Sequence, residues 1–416
     1  MDIQAVLQGL LGIAVFVAIA WAVSEDRRRV EWRIMAIGLA VQVLLAVLLL
    51  FLPPVKAFFA ALAAGVRALQ AATLEGTAFV FGYLGGGELP FDATGPGSTF
   101  IFGIQSLPVI LMVGALSALL WHWRVLIYVV RGAAWLVERT FRVGGAVGVS
   151  SAANIFMGMV EAPLLVKPYI PKLTRSELFV VMAGGLSTIA GSTMVVVGTL
   201  IDGAIPNAFS HLLIASVINA PAAIALAKVM VPGAATAGED LVLKSDYRSS
   251  LDAITRGTTD AVRLLANVVG MLIVFVSLIA LVNIALAALW PGGGLTLQGI
   301  LGHLMAPIAW LMGIPWADAQ TAGGLLGTKV VVNELIAYVH LTELPEGALS
   351  ARASFIMTYA LCSFSNFGSL AIMIGGLTAM APERTSEIVS LGLKAILAGF
   401  LAAALTATIV GMMAAP

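Results

Sequence analysis

Charge is the property that this sequence lacks most. Only 11% of its 416 residues are Asp, Glu, Lys or Arg, whereas 60% are hydrophobic and the mean hydropathy is +1.02. A soluble globular chain carries roughly 25% charged residues. The deficit excludes an ordinary soluble domain, so we expect an all-α polytopic protein that contacts membrane lipid. The 22 basic and 22 acidic residues cancel, which leaves no excess positive charge for a nucleic-acid partner.

Cysteine and histidine are also scarce. Cys362 is the only cysteine, which excludes an internal disulfide, and the four histidines match no metal-ligand spacing. No nucleophile–base pair stands out, so we do not expect an enzyme; a membrane-embedded enzyme remains a weaker alternative. The first residues, MDIQAV, include an acid but no basic stretch. This favours a first membrane span over a cleaved signal peptide.

Eight segments are apolar over the length of about 20 residues that a membrane span needs. The loop between the first two, EDRRRVEWR, contains four arginines. Because basic loops stay in the cytoplasm, we expect an inner-membrane protein with both termini outside. The predicted spans are residues 4–23, 34–53, 98–121, 177–201, 207–231, 264–289, 353–380 and 387–412.

Three segments do not fit as spans. Residues 54–96 combine a moderately apolar helix with a turn-rich outer loop. Residues 124–141 carry charges on one helical face, which predicts an interfacial helix on the cytoplasmic surface. Residues 294–341 follow the glycines Gly292–Gly294. They combine an apolar arm, a predicted break at IPWADAQTAGGLLGTK and a returning arm, VVVNELIAYVHL.

The segment AANIFMGMVEAPLLVKPYIPK, residues 152–172, is too polar and too rich in proline for a lipid-facing helix. Non-helical backbone at membrane depth is tolerated only inside protein or beside a watery cavity. We therefore predict a re-entrant hairpin that turns at Gly158 and opens to the cytoplasm. Residues 294–341 are predicted to form a second hairpin that opens to the outside.

A span with a polar interruption follows each predicted hairpin: GGLSTIAGSTM after the first and ALCSFSNFGSLAI after the second. Two hairpins and two broken helices in opposite orientation are typical of the inverted repeats of secondary transporters. The predicted divisions are N-terminal spans and outer loop (1–95), scaffold span and interfacial helix (96–145), first hairpin with its broken and following spans (146–232), cytoplasmic loop and scaffold span (233–290), and second hairpin with the last two spans (291–416).

Polar residues within these apolar segments are the candidate site. Glu161 and Glu334 would be costly to bury, so each is expected either to bind a ligand or to pair with Lys167 or Lys329. Asn154 and Thr188 could be packing groups or oxygen ligands of a small cation. Asn366 and Ser369 lie three residues apart, on one helical face that could bind a hydroxylated ligand. Phe364 is either a stacking platform or a core residue.

At these residues the sequence resembles the concentrative nucleoside transporter family. The matching pieces occur in the family's order over residues 95–412: AANIFMGMVEAPLLVKPYIPKLTRSELF, GGLSTIAGS, GTKVVVNELIAY and YALCSFSNFGSLAI. The resemblance implies a homotrimer with a scaffold part and a transport part in each protomer. It also implies eight transmembrane helices, two opposed re-entrant hairpins and an interfacial helix.

The same resemblance implies roles for individual residues. One group of residues would bind the ribose and the base of a nucleoside substrate. A second group would bind Na⁺ as the coupling ion. The implied ion ligands are the side chains of Asn154 and Thr188 and the backbone carbonyls of Met157 and Ile189. The implied substrate contacts are Glu334, Asn366 and Ser369 at the ribose hydroxyls, Phe364 beside the sugar and Glu161 on the base side.

One departure from the family pattern affects base recognition. The first hairpin tip of the family usually reads Gly-Gln-Thr-Glu, whereas here Met159 and Val160 stand between the glycine and Glu161. An apolar pair cannot hydrogen-bond a base, although Thr193 could supply one replacement hydroxyl. We therefore expect cation symport of nucleosides or related ribosyl compounds with an altered base preference. Sodium is favoured because the implied ligands are oxygens; H⁺ is the alternative, since Glu161 or Glu334 could titrate.

Overall fold

The computed structural model describes residues 3–91, 100–234, 245–290 and 294–413. Within these ranges the chain is helical and contains no β-strand, which confirms the all-α fold class. Short 3₁₀ segments at Gly82–Gly85, Lys167–Lys172 and Pro382–Arg384 connect some of the helices. Gly292 and Gly293, the start of the third predicted span at 98–99 and both chain ends lie outside the described residues.

The helices are numbered in chain order: α1 Ile3–Ala22, α2 Trp32–Phe51, α3 Pro53–Phe81, α4 Phe102–Gln105, α5 Val109–His122, α6 Val125–Phe141, α7 Gly145–Ala153, α8 Glu161–Leu164, α9 Arg175–Ser187, α10 Gly191–Ile201, α11 Ala208–Met230, α12 Ser250–Leu289, α13 Leu297–Leu311, α14 Trp316–Val331, α15 Glu334–Glu343, α16 Ala351–Ala360, α17 Phe367–Met380 and α18 Thr385–Met413.

The eight predicted spans correspond to α1, α2, α4–α5, α9–α10, α11, α12, α16–α17 and α18. The sixth is longer than predicted, because α12 begins at Ser250 rather than at residue 264 and has 40 residues. At 1.5 Å per residue this helix is about 60 Å long, roughly twice the hydrocarbon thickness of a bilayer. Its first turns carry an exposed ion pair between Arg256 and Asp252. The added length therefore extends into water.

Charged groups tie several helix ends together on one face. Glu25, in the loop after α1, accepts from Arg175 at the start of α9 at 2.9 Å and from Lys394 of α18 at 2.8 Å. The backbone N–H of Glu25 also donates to the carbonyl of Met230 at the end of α11. These ends therefore share the face of the arginine-rich loop, which we call the inner face.

The helix α3 follows α2 on the opposite, outer face. Pro53–Gly85 is long and apolar enough to cross a membrane, with a hydropathy of 1.5, so length and composition alone contradict the prediction that this region lacks a span. The contacts, however, keep α3 outside: Gln70 donates to Thr199 near the outer end of α10. Just beyond α3, the carbonyl of Leu84 accepts from Gln105 of α4. The helix therefore runs along the outer ends of the spans.

The predicted interfacial helix is α6. Arg124 before it and Arg142 after it both have positive φ, at 64° and 53°, and these left-handed residues reverse the chain at each end. Its side chains Tyr128 and Trp135 are exposed, whereas Phe141 packs near the inner end of α2. The helix thus lies against the inner ends of the spans.

The first hairpin is formed as predicted. The helix α7 starts from the inner face, residues 154–160 are not helical, and α8 with the following 3₁₀ segment leads back. Arg384 holds the returning end on the inner face by donating to the carbonyls of Ile170 and Leu173. Proline at positions 163, 168 and 171 keeps this returning arm short and irregular.

The second hairpin differs from the prediction. The expected break IPWADAQTAGGLLGTK forms α14 over most of its length, and the turn lies instead at Val332 and Asn333 between α14 and α15. The glycines serve close helix packing: a Cβ on Gly323 would lie 2.5 Å from the carbonyl oxygen of Gly302 in α13. The hairpin arms are therefore α14 and α15, and α13 is an additional helix at a 117° bend from α14.

Both predicted helix breaks are present and lie side by side. The first separates α9 from α10 at residues 188–190, and the second separates α16 from α17 at residues 361–366. The N–H of Phe364 donates to the carbonyl of Thr188 at 3.1 Å. Asn219 of α11 donates to the carbonyls of Ser187 and Cys362 at 2.8 and 2.9 Å. One amide therefore satisfies carbonyls of both broken helices.

Replacing Asn219 tests this arrangement. Asn219→Ala leaves two buried carbonyls without a donor, at a cost of about 1–3 kcal/mol each, so we expect a large fall in the thermal unfolding temperature in detergent. The control is Asn283→Ala, which also removes two hydrogen bonds, but from the partly buried contact between α12 and α13. Equal destabilisation by both variants would contradict the role assigned to Asn219.

The cluster around Glu25 predicts a pH dependence. The hydrogen bond from Arg175 is the main cause that lowers the pKa of Glu25 from 4.5 to about 2, so its stabilisation is complete above about pH 4.5 and is lost as the pH falls toward 2. Glu25→Gln should lower the unfolding temperature at pH 7, and this difference from wild type should shrink below about pH 4.5 and disappear only as the pH falls to about 2. The effect should be about 1 kcal/mol or less, because the groups are partly exposed.

The control for this measurement is Asp26→Asn in the same loop. Asp26 pairs with Arg29, whose side chain is 81% exposed, and accepts one exposed hydrogen bond from the backbone N–H of Arg28 at 3.1 Å. Because an asparagine keeps an oxygen for that N–H, this substitution should change little at either pH. A Glu25→Gln effect that grows as the pH falls would contradict the ion-pair explanation.

Candidate functional site

The candidate site lies where the first hairpin tip, the two helix breaks and the second hairpin tip approach one another. Phe156 of the first tip accepts from the N–H of Gly191, the first residue of α10, at 3.2 Å. Asn366, at the start of α17, donates to Glu334 of the second hairpin at 2.9 Å. With the bond between Phe364 and Thr188, these contacts form a continuous chain across the middle of the protein.

Asn154 and Thr188 form the first part of the site. Asn154 Nδ2 donates to the carbonyl of Gly184 at 2.6 Å and to Thr188 Oγ1 at 2.5 Å, and Thr188 Oγ1 donates to the carbonyl of Asn154 at 3.1 Å. Both side chains are buried. Asn154 Oδ1 is buried without a hydrogen-bond partner. A buried unpaired oxygen is costly, so this atom is suited to a bound cation.

Two backbone carbonyls belong to the same group. Those of Met157 and Ile189 lie in the non-helical tip and the first helix break, and neither accepts a hydrogen bond from a described residue. Unwound backbone carbonyls are the usual ligands of coupling ions in secondary transporters. Together with Asn154 Oδ1 and Thr188 Oγ1 they form an oxygen set that fits a small hard cation.

Glu334 and Asn366 form the second part of the site, and both are buried. Asn366 caps α17 by accepting from the N–H of Ser369 at 2.7 Å, while its amide nitrogen binds Glu334. Asn333 caps α15 in the same way through the N–H of Ile336 at 2.8 Å. Two helix amino ends thus meet at one carboxylate, which is a favourable place for negative charge.

Lys329 is fully buried close to this carboxylate, but it is not in an ion pair with Glu334 within the described residues. Its Nζ donates to the carbonyl of Ala360, the last residue of α16, at 2.6 Å and lies 5.4 Å from the ring centroid of Phe400. The alternative that Lys329 neutralises Glu334 directly is therefore not supported. Lys329 instead ties the second hairpin to the broken helix.

The structure places Glu161 differently from the sequence analysis. It is exposed rather than buried, and its carboxylate lies over Gly158, where an added Cβ would overlap it. No ion pair joins it to Lys167 among the described residues. The argument from the cost of burial therefore does not apply to Glu161, and its contact with the base stays a prediction.

The apolar pair at the hairpin tip packs against two broken helices. Met159 is buried against Gly185 of α9, and Val160 lies against Gly376 of α17. Phe364 is buried in the second break, and Thr193 is half-buried on α10, which packs against α15. Their proposed substrate contacts stay predictions.

Sequence reasoning missed Asn219, whose amide supports both helix breaks. A signal was present, because Asn219 is a lone amide two residues before Pro221 within a strongly apolar span. Buried polar residues in a membrane span usually have a specific partner. The partner itself could not be read from the sequence, since the bonded carbonyls are 32 and 143 residues away.

The sequence matches three family descriptions: "Na+ dependent nucleoside transporter N-terminus" over residues 11–84, "Nucleoside recognition" (Gate) over 104–203 and "Na+ dependent nucleoside transporter C-terminus" over 211–411. The chain belongs to the concentrative nucleoside transporter family. It is 38% identical to the uncharacterized transporter YutK of Bacillus subtilis and 33% identical to the putative nucleoside permease NupX of Escherichia coli. These alignments cover 98% of this chain and 99% and 98% of the relatives.

Solved structures of this family have the same fold. The chain superposes on CNTnw in an inward-facing, substrate-bound state with a TM-score of 0.90 and 37% identity, over 98% of both chains. Membership confirms a multi-pass transporter, rather than an enzyme, with two opposed re-entrant hairpins. The residues that resemble the family's binding sites are thus found on the hairpin tips and helix breaks of the family fold.

Asn366 tests the second part of the site. Asn366→Ala removes a helix cap, worth about 1 kcal/mol, and also the donor to a buried carboxylate, worth about 1–3 kcal/mol more. We expect a clear fall in unfolding temperature. Asn333→Ala removes only a cap and should have the smaller effect. If the two variants were equally stable, the bond between Asn366 and Glu334 would contribute nothing.

Proposed function

We propose that this protein imports nucleosides, or closely related ribosyl compounds, by sodium symport and alternating access. The observation that carries the proposal is the buried, unpaired Asn154 Oδ1, which lies beside the hydroxyl of Thr188. A bound sodium ion would be a positively charged partner for this oxygen, for Thr188 Oγ1 and for the carbonyl oxygens of Met157 and Ile189. The family description as Na⁺-dependent supports the choice of ion.

The ribose is proposed to bind Glu334, Asn366 and Ser369. A carboxylate accepts hydrogen bonds from vicinal hydroxyls, while an amide and a hydroxyl can donate or accept. Asn366 holds Glu334 in place at 2.9 Å, so the acceptor is already oriented before a sugar arrives. Such preorganisation lowers the entropic cost of binding.

Thr188 connects the two parts of the site. Its hydroxyl belongs to the proposed ion ligands, while its carbonyl accepts from Phe364, two residues before Asn366. Ordering of the first hairpin tip against Thr188 would therefore also hold the second helix break in its binding position. Each ligand must then raise the affinity of the other by the same factor.

The two hairpins are proposed to provide alternating access. The first opens to the inner face and the second to the outer face, and both tips end at the same pair of helix breaks. Their opposite orientation lets movement of the site relative to α12 and the other peripheral spans expose it to either side in turn. The basic loops support an inner membrane location with both chain ends outside.

A homotrimer is part of the same proposal. It is supported by the resemblance to the family and by α12, most of whose apolar side chains are exposed or only half-buried within one chain. Several large apolar side chains are exposed along it, including Ile273, Val274 and Ile284. Lipid and neighbouring copies would share this surface.

Uptake into vesicles tests the coupling ion. Labelled uridine and adenosine should accumulate with an inward sodium gradient, and initial rates should fall roughly 5- to 150-fold when choline replaces sodium. Thr188→Val removes a hydroxyl proposed to bind sodium, so uptake by this variant should no longer be faster in sodium than in choline. Uptake that ignores sodium and follows a pH gradient would establish the proton alternative and refute this part of the proposal.

Restoring polarity at the hairpin tip tests base selection. Met159→Gln with Val160→Thr returns two hydrogen-bonding side chains to the tip, and each new bond is worth about 1 kcal/mol. We therefore expect a change of about fivefold or more in the preference between uridine and adenosine, measured by competition for uptake. The apolar control Met159→Leu should leave the preference unchanged. An unaltered preference in the polar variant would show that these positions do not contact the base.

A further inference from the structure

A cavity lies near the outer ends of the spans, away from the proposed nucleoside site. It has a volume of about 430 Å³ and is formed by the outer ends of α2, α3, α11, α16 and α18. Cavities of 300–1,000 Å³ commonly bind small organic groups. Its apolar walls include Leu50, Phe59, Ile214, Phe355 and Met413.

The cavity arises because α2 and α11 diverge toward the outside. On the inner side the helices are very close, since a Cβ on Gly38 would lie 2.4 Å from the Cβ of Ala225. Near the middle, Gln42 of α2 binds Thr406 of α18 at 3.2 Å. Beyond the fully buried Ala46 of α2, the cavity lies beside Phe59 and Phe355.

The polar groups that line this cavity come from the first turn of α3 and from the start of α11 with the residue before it. Lys56 is exposed at the rim, with its ammonium 5.9 Å from the ring centroid of Phe51. His211 binds Tyr359 through Nδ1 at 2.7 Å, and its Nε2 bonds to no described residue. Asn207 and Ser210 complete the polar groups, and none of the described lining residues is acidic. The cavity therefore combines an apolar interior with a positive, hydrogen-bonding rim.

We propose that this cavity binds an anionic phospholipid of the outer leaflet. The phosphate would lie at Lys56, with hydrogen bonds from Asn207 and His211, and one acyl chain would enter the apolar interior. The position favours a lipid, because α2 ends and α3 begins at this level of the membrane.

The bound lipid would join two groups of helices. Leu50, Lys56 and Phe59 come from α2 and α3, whereas His211 and Phe355 come from α11 and α16. His211 also packs edge-to-face on Phe355 at 5.2 Å. The lipid thus fills a gap beside α16, which ends at the second helix break, and α11, whose Asn219 binds carbonyls at both breaks. This inference does not depend on the transported substrate or the coupling ion.

Lipid retention tests the proposal directly. The full-length protein is reconstituted with phosphatidylglycerol and phosphatidylcholine, extracted gently and analysed by native mass spectrometry. Wild type should retain phosphatidylglycerol in preference to phosphatidylcholine. Lys56→Gln should bind phosphatidylglycerol about fivefold more weakly. Ala60→Phe keeps the charge but fills the cavity, and it should also lose the lipid.

Arg67→Gln is the matched control. It removes one positive charge from the same helix, but Arg67 lines a neighbouring small cavity of about 60 Å³ that shares Asn207, and neither Lys56 nor His211, with the proposed lipid cavity. Lipid retention should therefore equal that of wild type. Three results would overturn the proposal: unchanged retention in both Lys56→Gln and Ala60→Phe, equal loss in Arg67→Gln and Lys56→Gln, or displacement of the lipid by uridine. Should one cavity variant fail to fold, the other still decides.

Discussion

The need to hydrogen-bond backbone carbonyls in a dry interior governs this structure. Two spans are interrupted halfway across the membrane, and every interruption exposes carbonyls that water cannot reach. Asn219 binds one carbonyl on each side, Lys329 binds the carbonyl that ends α16, and the N–H of Phe364 binds that of Thr188. The breaks are therefore maintained by a small number of specific donors.

The candidate site includes the polar groups near the helix breaks that these donors do not bind. The carbonyl of Ile189 accepts no hydrogen bond from a described residue, and the buried Asn154 Oδ1 has no partner. By contrast, the amide of Asn366 donates one hydrogen bond to Glu334 and accepts one from the N–H of Ser369 in α17. The half at Asn154 and Thr188 thus has oxygen atoms without a positively charged or hydrogen-bonding partner. The half at Glu334 and Asn366 presents an oriented carboxylate. This difference is the physical basis for assigning an ion to one half and a sugar to the other.

The sequence predicted the architecture well because a membrane limits the alternatives. Apolar length located the spans, charged and proline-rich residues located the first hairpin, and small and polar uncharged residues located both breaks. The second hairpin was predicted with the wrong arms, since Gly323 and its neighbours indicate a break when they in fact allow α14 to pack on α13. Local sequence cannot distinguish a glycine that ends a helix from one that meets another helix.

Contacts between distant residues set the remaining limits. Apolar length alone would make a span of the described part of region 54–96. Only the contacts of Gln70 with α10 and of Leu84 with α4 indicate that this part lies along the outer ends of the spans, as expected. Glu161 was expected to be buried because its neighbours in sequence are apolar, yet it is exposed. Pairing of Lys329 with Glu334 was the alternative to a ligand-binding role for Glu334, whereas a carbonyl 31 residues away is the acceptor of Lys329. Burial and partner choice depend on tertiary packing that residue spacing does not specify.

The central claim is that a cation at Asn154 and Thr188 and a ribose at Glu334 bind cooperatively through the adjoining helix breaks. Calorimetric titration of the purified protein with a nucleoside, in sodium chloride and in choline chloride, tests it most directly. The account predicts an affinity at least about fivefold higher in sodium and loss of binding in Glu334→Gln in both salts. Equal affinity in the two salts, or unchanged binding by Glu334→Gln, would contradict it.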